Sequence, residues 1–267
     1  PTLRGDLDSR HMPDARHSER EALEKLLDGN LGTYSLYRWS VALLLGGGWF
    51  YAAETYVDVF IAHAVDPLDC RCSAPRLALQ NLSMAEVCSV CASAGGVLSC
   101  RDESTIASSF GLYCDRDWLR SVSPAFYFLG TLLASLGSGV ADRFGRRPAF
   151  VVSRSLSAGF MFACVAAPNL PLYAALKLAV GFTTTIGTVS SYPLACELVG
   201  PRLRTRMTVE LWCYVWALSC AFLALLAYAL RAASWRTLVL ACGVPYLLLA
   251  AGYQALVPES PFWLLER

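Results

Sequence analysis

Charged residues are rare inside the apolar stretches of the chain, and three of them stand out. Glu54 and Asp58 are four residues apart in the apolar run 39–62, and Lys177 lies in the run 170–196. A spacing of four places both carboxylates on one face of a helix. Charge is costly in hydrocarbon and persists there when it has a partner or a function. These three residues are therefore candidates for ion or solute binding.

A second charged pattern, Asp142-Arg143-Phe144-Gly145-Arg146-Arg147, forms a tight turn between two apolar runs. The small residues Gly130, Ala134 and Ser138 precede it at intervals of four, which favours close approach of another helix. We predict that the arginines of this turn pair with Asp142 or with Glu197, at the end of a later run. The alternative is that they only set the orientation of the chain.

These charged residues interrupt an apolar composition. The chain has 267 residues, of which 55% are hydrophobic and 16% charged, with a mean hydropathy of +0.44. Soluble domains carry about 25% charged residues. A membrane-spanning helix needs about 20 mostly apolar residues, and six runs qualify: 39–62, 119–141, 148–167, 170–196, 207–230 and 237–257.

The sequence thus predicts an all-α membrane protein with six transmembrane helices. Its segments are a cytoplasmic N-terminal segment (1–38), the first helix (39–62), an outer loop (63–118), five further helices (119–257) and the start of a central cytoplasmic loop (258–267). The net charge of +1 says nothing about nucleic acid, but no basic patch with interleaved aromatic residues appears, so no nucleic-acid partner is predicted.

Arginine placement predicts the orientation, because short cytoplasmic loops are enriched in Lys and Arg. The loops after the second and fourth runs each hold three arginines, and the loop after the third run holds none. Arg204 belongs to the second of these basic loops. The N-terminus is therefore expected in the cytoplasm and residues 63–118 outside or in a lumen, in the plasma membrane or the vacuolar membrane.

This orientation puts the three buried charges at similar depths. At 1.5 Å per residue, Glu54 and Asp58 lie roughly 6–12 Å, and Lys177 roughly 9–11 Å, from the outer ends of their helices. We predict that Lys177 pairs with one carboxylate, while the other attracts a cationic substrate or binds a coupling proton. The alternative is that Asp58 reaches the outer interface and Lys177 extends its ammonium group there.

The outer loop holds six of the eleven cysteines: Cys70, Cys72, Cys88, Cys91, Cys100 and Cys114. An even number in an oxidising compartment predicts up to three disulfides, with the pairing left open. The Cys88-x-x-Cys91 spacing leaves a zinc site as the alternative. Asn81-Leu82-Ser83 is a glycosylation sequon on the same side.

The remaining motifs contain no catalytic constellation, and no enzyme activity, metal or cofactor is predicted. Trp212 and Trp216 share a helix face in the fifth run. Such an aromatic wall can hold a quaternary ammonium group, which makes Trp216 a substrate-binding candidate. The alternative for Trp212 is a place in the interfacial aromatic belt.

Several motifs carry a family resemblance over residues 23–267. Besides the Asp142–Arg147 turn, they are Lys177-x-x-x-Gly181, Glu197-x-Val199-Gly200 and a final signature containing Glu259, Ser260, Pro261 and Trp263. With the cysteine-bearing loop, the chain resembles the organic cation/anion/carnitine transporter family of the major facilitator superfamily. Trp49-Phe50, Lys177 and Ile186-Gly187-Thr188 are most similar to its plant branch.

The resemblance implies a secondary transporter of organic cations or zwitterions such as carnitine, working by alternating access with proton or sodium coupling. It implies a cytoplasmic gate with the residues Asp142, Arg143, Gly145, Arg146, Arg147, Glu197 and Arg204. Family members have twelve helices, so the chain is expected to be an N-terminal half that lacks its C-terminal six-helix partner. The alternatives are a sugar or other organic-solute porter, or a non-transporting regulatory half-protein.

Overall fold

The computed structural model describes residues 18–19, 21–22, 25, 51–67, 70–73, 82–100, 105–136, 139, 143–197, 212–257, 259–260 and 263. Among the residues discussed above, Asn81, Ser138, Asp142, Val199, Gly200, Arg204 and Pro261 lie outside the described residues, as does 39–50 of the first apolar run.

Helices form at each of the six apolar runs. Their described parts are α1 (51–61), α4 (Val122–Leu136), α5 (Arg146–Val165), α6 (Leu170–Glu197), α7 (Trp212–Ala229) and α8 (Trp235–Leu256). Over the described residues, α5, α6, α7 and α8 are long and apolar enough to cross a membrane by length and composition. The first two runs are represented by the shorter α1 and α4.

The helix of the second apolar run begins at Val122, within a few residues of the predicted start at 119. Residues 119–121 belong to a 3-10 helix, Cys114–Ser121, and α4 follows it. The 3-10 helix carries Asp115 and Asp117 in its first turn, and Arg120 forms an exposed ion pair with Asp117 at 2.7 Å. This charge keeps the segment outside the apolar helix that follows it.

Helix α6 packs between α4 and α5, and α5 also packs against α8. The crossing of α4 and α6 is made at two glycines. A Cβ on Gly130 would lie 2.1 Å from the carbonyl oxygen of Leu178, and a Cβ on Gly181 would lie 2.1 Å from that of Tyr127. Gly130 of the small-residue stripe therefore meets the backbone of α6, and Gly130 and Ala134 are both buried.

The outer loop adds a small sheet to a fold that the sequence predicts to be entirely α-helical. Strands β1 (Cys70–Cys72) and β2 (Leu98–Cys100) pair antiparallel, with Cys70 opposite Cys100. Between them lies α2 (Met84–Ser93), and the short α3 (Ile106–Ser109) follows β2. The helical prediction is confirmed for the membrane segments, and the loop, for which no secondary structure is predicted, contributes the sheet.

Helix α2 begins with a capping box at Ser83. The Ser83 hydroxyl accepts the N–H of Glu86, and the Glu86 carboxylate accepts the Ser83 N–H at 2.7 Å. The Ser83 N–H and the Ser83 hydroxyl both donate to the Glu86 carboxylate, and these two hydrogen bonds lower the pKa of that carboxyl.

The six loop cysteines form three disulfides, which confirms the disulfide prediction and resolves its pairing. They are Cys70–Cys100, Cys72–Cys91 and Cys88–Cys114. The two cysteines of the C-x-x-C motif bond to different partners, so the motif does not act as a metal clamp here. The part of the chain that the structure describes contains no cluster of His, Cys, Asp or Glu placed to hold a metal ion.

Candidate functional site

Asp58 and Lys177 form an ion pair inside the helical bundle. The Lys177 Nζ lies 3.1 Å from Asp58 Oδ1, and the side chains are only 1% and 3% exposed for Lys177 and Asp58. Two hydroxyl groups complete the shell of the carboxylate: Tyr173 donates to Oδ1 at 3.1 Å and Ser123 to Oδ2 at 2.8 Å. Lys177 also donates to the backbone carbonyl of Glu54 at 3.1 Å.

Glu54 lies beside this pair and has its own cation. Its Oε2 is 3.9 Å from Nη1 of Arg154, and both side chains are fully buried. Ser157 and Thr184 donate hydrogen bonds to the two Glu54 oxygens. Arg154 in turn donates from Nη2 to Thr188 at 3.0 Å. Helices α1, α5 and α6 thus share a second buried ion pair.

The structure changes two expectations about these charges. The sequence predicts a carboxylate left over for substrate or proton, whereas Glu54 is engaged by Arg154, Ser157 and Thr184. The alternative with Lys177 extended to the interface does not describe the structure either, since its side chain is buried. The reason for the first difference is Arg154, which the sequence reasoning left without a role.

A glycine on α6 makes room for Arg154. A Cβ at position 187 would lie 2.7 Å from Arg154 Nε and 2.9 Å from Ser153 Oγ. The space is therefore taken by the guanidinium group, and a larger residue would displace it. Arg154 could have been singled out from the sequence as the one charge in the third apolar run, because intramembrane charge is a functional candidate by default.

The cluster is electrically balanced, with two carboxylates on α1 facing one cation on α5 and one on α6. Buried ion pairs offset the cost of desolvation only when further hydrogen bonds support them, and here hydroxyl groups donate to both carboxylates. The ring of Tyr127 makes a cation–π contact with the ammonium group of Lys177, whose Nζ lies 5.5 Å from the ring centroid. A cationic solute or a proton that competed for either carboxylate would change the pairing among three helices.

Trp216 lies outside this charged cluster, on α7. It is 37% exposed and packs against the ring of Tyr56 on α1, with centroids 6.2 Å apart. Trp212, one turn earlier, packs edge-on against Tyr192 of α6 at 6.1 Å. The aromatic face of α7 is thus partly occupied by neighbouring helices.

At the other end of the bundle, the turn before α5 is held by the end of α6 and by the segment after α8. Arg146 pairs with Glu197, and the Ser260 hydroxyl donates to the second Glu197 oxygen. This brings together three of the sequence-predicted residues from three different segments. Arg143 is exposed.

Glu259 caps the N-terminus of α5. Its Oε1 accepts the backbone N–H of Arg147 at 3.0 Å, where the helix leaves unpaired N–H groups and a positive dipole end. Gly145 precedes the helix with φ +101°, and a Cβ there would lie 3.3 Å from both Glu259 Oε2 and Trp263 Cζ2. The final signature thus binds the arginine-rich turn, a role that sequence reasoning missed because it treated the two motifs separately.

Comparison with known proteins identifies the family. A family model described as "Sugar (and other) transporter" matches residues 88–267. The chain belongs to this family. Together with the long apolar helices, membership of the sugar (and other) transporter family makes it an integral membrane protein.

Among curated proteins, the chain is similar to members of the transporter family from animals. It is 32% identical over 165 residues to the human "Organic cation/carnitine transporter 2", which covers 61% of this chain and 29% of that protein. It is 34% identical over 166 residues to the "Beta-alanine transporter" of Drosophila melanogaster, with 61% and 26% covered. The matched region thus spans less than a third of these relatives.

Solved structures agree on the fold. The inward-open conformation of the xylose transporter XylE from E. coli superposes with a TM-score of 0.58 over 86% of this chain and 50% of XylE, at 17% sequence identity. At this identity the likeness concerns the fold alone, which is that of a major facilitator superfamily transporter.

Proposed function

We propose that the protein is a secondary transporter of organic cations or zwitterions such as carnitine, which works by alternating access. This chain would supply the N-terminal six-helix half of the carrier. Support comes from the family match and from the similarity to organic cation/carnitine transporters. The likeness to the plant branch rests on sequence motifs and stays a prediction.

The observation that carries the proposal is the pair of carboxylates on α1, each buried against a cation of another helix. A substrate cation can replace Lys177 or Arg154 as the partner of a carboxylate, and the displaced cation then needs a new partner. Such an exchange links substrate binding to the packing of α1 against α5 and α6. Coupling to a proton or sodium would use the same carboxylates, Glu54 and Asp58.

The cytoplasmic gate is proposed at the contact of Arg146 with Glu197 and Ser260. This contact joins the start of α5, the end of α6 and the segment after α8. Its release would let these helix ends separate, as alternating access requires on the inner side. Trp216 is proposed as an aromatic contact for the substrate cation, because part of its ring remains exposed beside Tyr56.

Uptake into proteoliposomes tests the proposal, with the protein expressed from its complete coding sequence. Radiolabelled carnitine, tetraethylammonium and glucose are supplied in parallel, with and without a proton or sodium gradient. We expect uptake of carnitine or tetraethylammonium, and its loss in Glu54→Gln and Asp58→Asn. Asp117→Asn is the matched control, since Asp117 forms only an exposed ion pair in the outer loop.

Two outcomes would replace the proposal. Uptake of glucose alone would favour the sugar-porter alternative, which the family name and the fold of XylE also accommodate. A folded protein that moves none of the three solutes would favour the non-transporting alternative.

A further inference from the structure

One segment of the outer loop, residues 105–112, is buried against the helical bundle. Ile106, Ala107 and Leu112 within this docked segment are at most 2% exposed. Thr105 caps its short helix by accepting the N–H of Ser108 at 3.0 Å. The segment lies between Cys100 and Cys114, which are tied to β1 and α2 by disulfides. Both ends of the docked segment are therefore covalently anchored.

The docked segment meets two helices through three aromatic rings. Phe110 lies with its centroid 6.1 Å from Tyr173 of α6 and 6.1 Å from Trp235 of α8, and these two rings are 5.6 Å apart. Trp235 also donates its indole N–H to the Ser109 hydroxyl at 2.9 Å. Tyr173 is thus packed by one ring from the loop and one from α8.

Tyr173 in turn contacts the buried ion pair. Its hydroxyl donates to Asp58 Oδ1, the same oxygen that lies 3.1 Å from Lys177 Nζ. Tyr173 and Lys177 are four residues apart on α6, so they project from one face of the helix. The position of the Tyr173 ring therefore sets how Asp58 shares its negative charge between the hydroxyl and the ammonium group.

We propose that the outer loop positions the Asp58–Lys177 pair through Phe110, Trp235 and Tyr173. Phe110 and Trp235 are positioning residues: they hold the Tyr173 ring, and the Tyr173 hydroxyl holds Asp58. The loop thereby determines the strength with which Lys177 is bound and, resting on the proposed function, the affinity for the transported cation. A ring with fixed neighbours on two sides has few rotamers left, which keeps the hydroxyl directed at the carboxylate.

A double-mutant cycle tests this chain of contacts in the full-length protein. Tyr173→Phe removes only the hydroxyl, and Phe110→Ala removes only the ring from the loop. We expect each to change the KM for uptake of the transported cation about tenfold, since hydrogen bonds to charged groups are among the stronger ones. The double variant should be no worse than either single one, because both act on the same hydrogen bond.

Thermal unfolding separates positioning from plain packing. Loss of the Phe110 ring removes packing that Tyr173→Phe keeps, so Phe110→Ala should lower Tm more than Tyr173→Phe, although the two change KM to a similar extent. Tyr127→Phe is the matched control: it removes a buried hydroxyl that bonds to Thr55 at 2.7 Å and not to a carboxylate. In the double variant Tyr127→Phe/Phe110→Ala, the fold-changes in KM of the two single variants should multiply. If Phe110→Ala does not fold, Phe110→Leu replaces it.

A spectroscopic measurement makes the inference independent of transport. The ultraviolet resonance Raman difference between the wild type and Tyr173→Phe isolates the hydrogen bond of this tyrosine. We expect that signal to shift when the same difference is recorded in the Phe110→Ala background. An unchanged signal, or KM effects of Tyr173→Phe and Phe110→Ala that multiply, would overturn the proposal. A protein without uptake would contradict the proposed function, and the Raman signal would still decide this inference.

Discussion

The buried charges show how single residues make an apolar bundle able to hold ions. Each carboxylate on α1 has one cation and two hydroxyl donors: Lys177, Tyr173 and Ser123 serve Asp58, while Arg154, Ser157 and Thr184 serve Glu54. Each of the four carboxylate oxygens thus accepts a hydrogen bond from a hydroxyl group. Removal of one cation leaves its carboxylate buried without charge compensation.

Lys177→Met should therefore destabilise the protein by about 3–5 kcal/mol, the usual cost of breaking a buried pair on one side. Equilibrium unfolding of the purified protein measures this change. The double variant Asp58→Asn/Lys177→Met should recover part of the loss, because no unpaired charge remains. Arg120→Gln is the matched control: it removes one partner of the exposed Asp117 pair and should change stability by about 0–1 kcal/mol. Equal losses in Lys177→Met and Arg120→Gln would contradict the prediction.

At the scale of elements, the closest approach is that of α4 and α6. Two glycines permit it, because the carbonyl oxygens of Leu178 and Tyr127 occupy the space that a side chain would need. This contact holds Tyr173 and Lys177 of α6 against Ser123 of α4 and Asp58 of α1. The packing of small residues is thus what positions the charged groups.

Gly130→Ala should destabilise the bundle by about 1–3 kcal/mol or more, since its Cβ meets backbone that cannot rotate away. Gly159→Ala in α5 is the matched control, because a Cβ there meets nothing within 4 Å. It should be neutral or stabilising by up to about 1 kcal/mol, as alanine favours a helix. Thermal unfolding of both variants compares them directly, and a stable Gly130→Ala would show that the crossing tolerates separation.

The helix caps permit a paired comparison of two elements. Glu259→Ala removes the acceptor at the start of α5, and Ser83→Ala removes the cap of α2 in the outer loop. Each should lower stability by about 0.5–2 kcal/mol. Only Glu259→Ala should also change the rate of uptake, since it lies at the proposed gate. Similar uptake by both variants would argue that this contact is structural only.

For the whole molecule, the outer loop is a covalently closed unit attached to a membrane bundle. Three disulfides enclose the sheet, α2 and the start of the 3-10 helix. The loop does not stand apart from the bundle, because Ile106, Ala107 and Leu112 are buried in the same core as Tyr173 and Trp235. Covalent closure therefore stabilises the parts of α6 and α8 that the loop contacts, as well as the loop itself.

Peptide mapping of protein digested without reduction should recover the pairs Cys70–Cys100, Cys72–Cys91 and Cys88–Cys114. Loss of the Cys88–Cys114 pair in Cys88→Ser/Cys114→Ser should lower stability by about 2–4 kcal/mol. The matched control is Cys213→Ser, an exposed free cysteine on α7. A peptide linking Cys88 to Cys91 would contradict this connectivity.

The orientation of the molecule remains a prediction from the arginine distribution. If residues 63–118 face the outside, Asn81 is expected to carry an N-linked glycan in a eukaryotic host. Glycosidase treatment should then increase the gel mobility of the wild type and leave Asn81→Gln unchanged. If the unglycosylated loop is labelled from the cytoplasmic side, the orientation is the opposite of the predicted one.

Family, membrane class and disulfide formation could be predicted from the sequence because each depends on local patterns. Apolar runs of about 20 residues, motifs such as Asp142–Arg147 and an even number of loop cysteines are visible without contacts. The approximate depth of Glu54, Asp58 and Lys177 followed from helix rise alone. The small sheet escaped prediction because its strands are three residues each, too short for a periodic pattern.

Partner choice was decided by the tertiary structure. Lys177 pairs with Asp58 and not with Glu54, because Arg154 of α5 reaches Glu54 through the space left at Gly187. Glu259 accepts the backbone N–H of Arg147 at the start of α5, and Ser260 donates to Glu197 at the end of α6, although these partners are far apart in the sequence. Periodicity and helix rise place a side chain on a face and at a depth. Which side chain it meets depends on how closely the helices approach, and that distance is set by small residues on several helices at once.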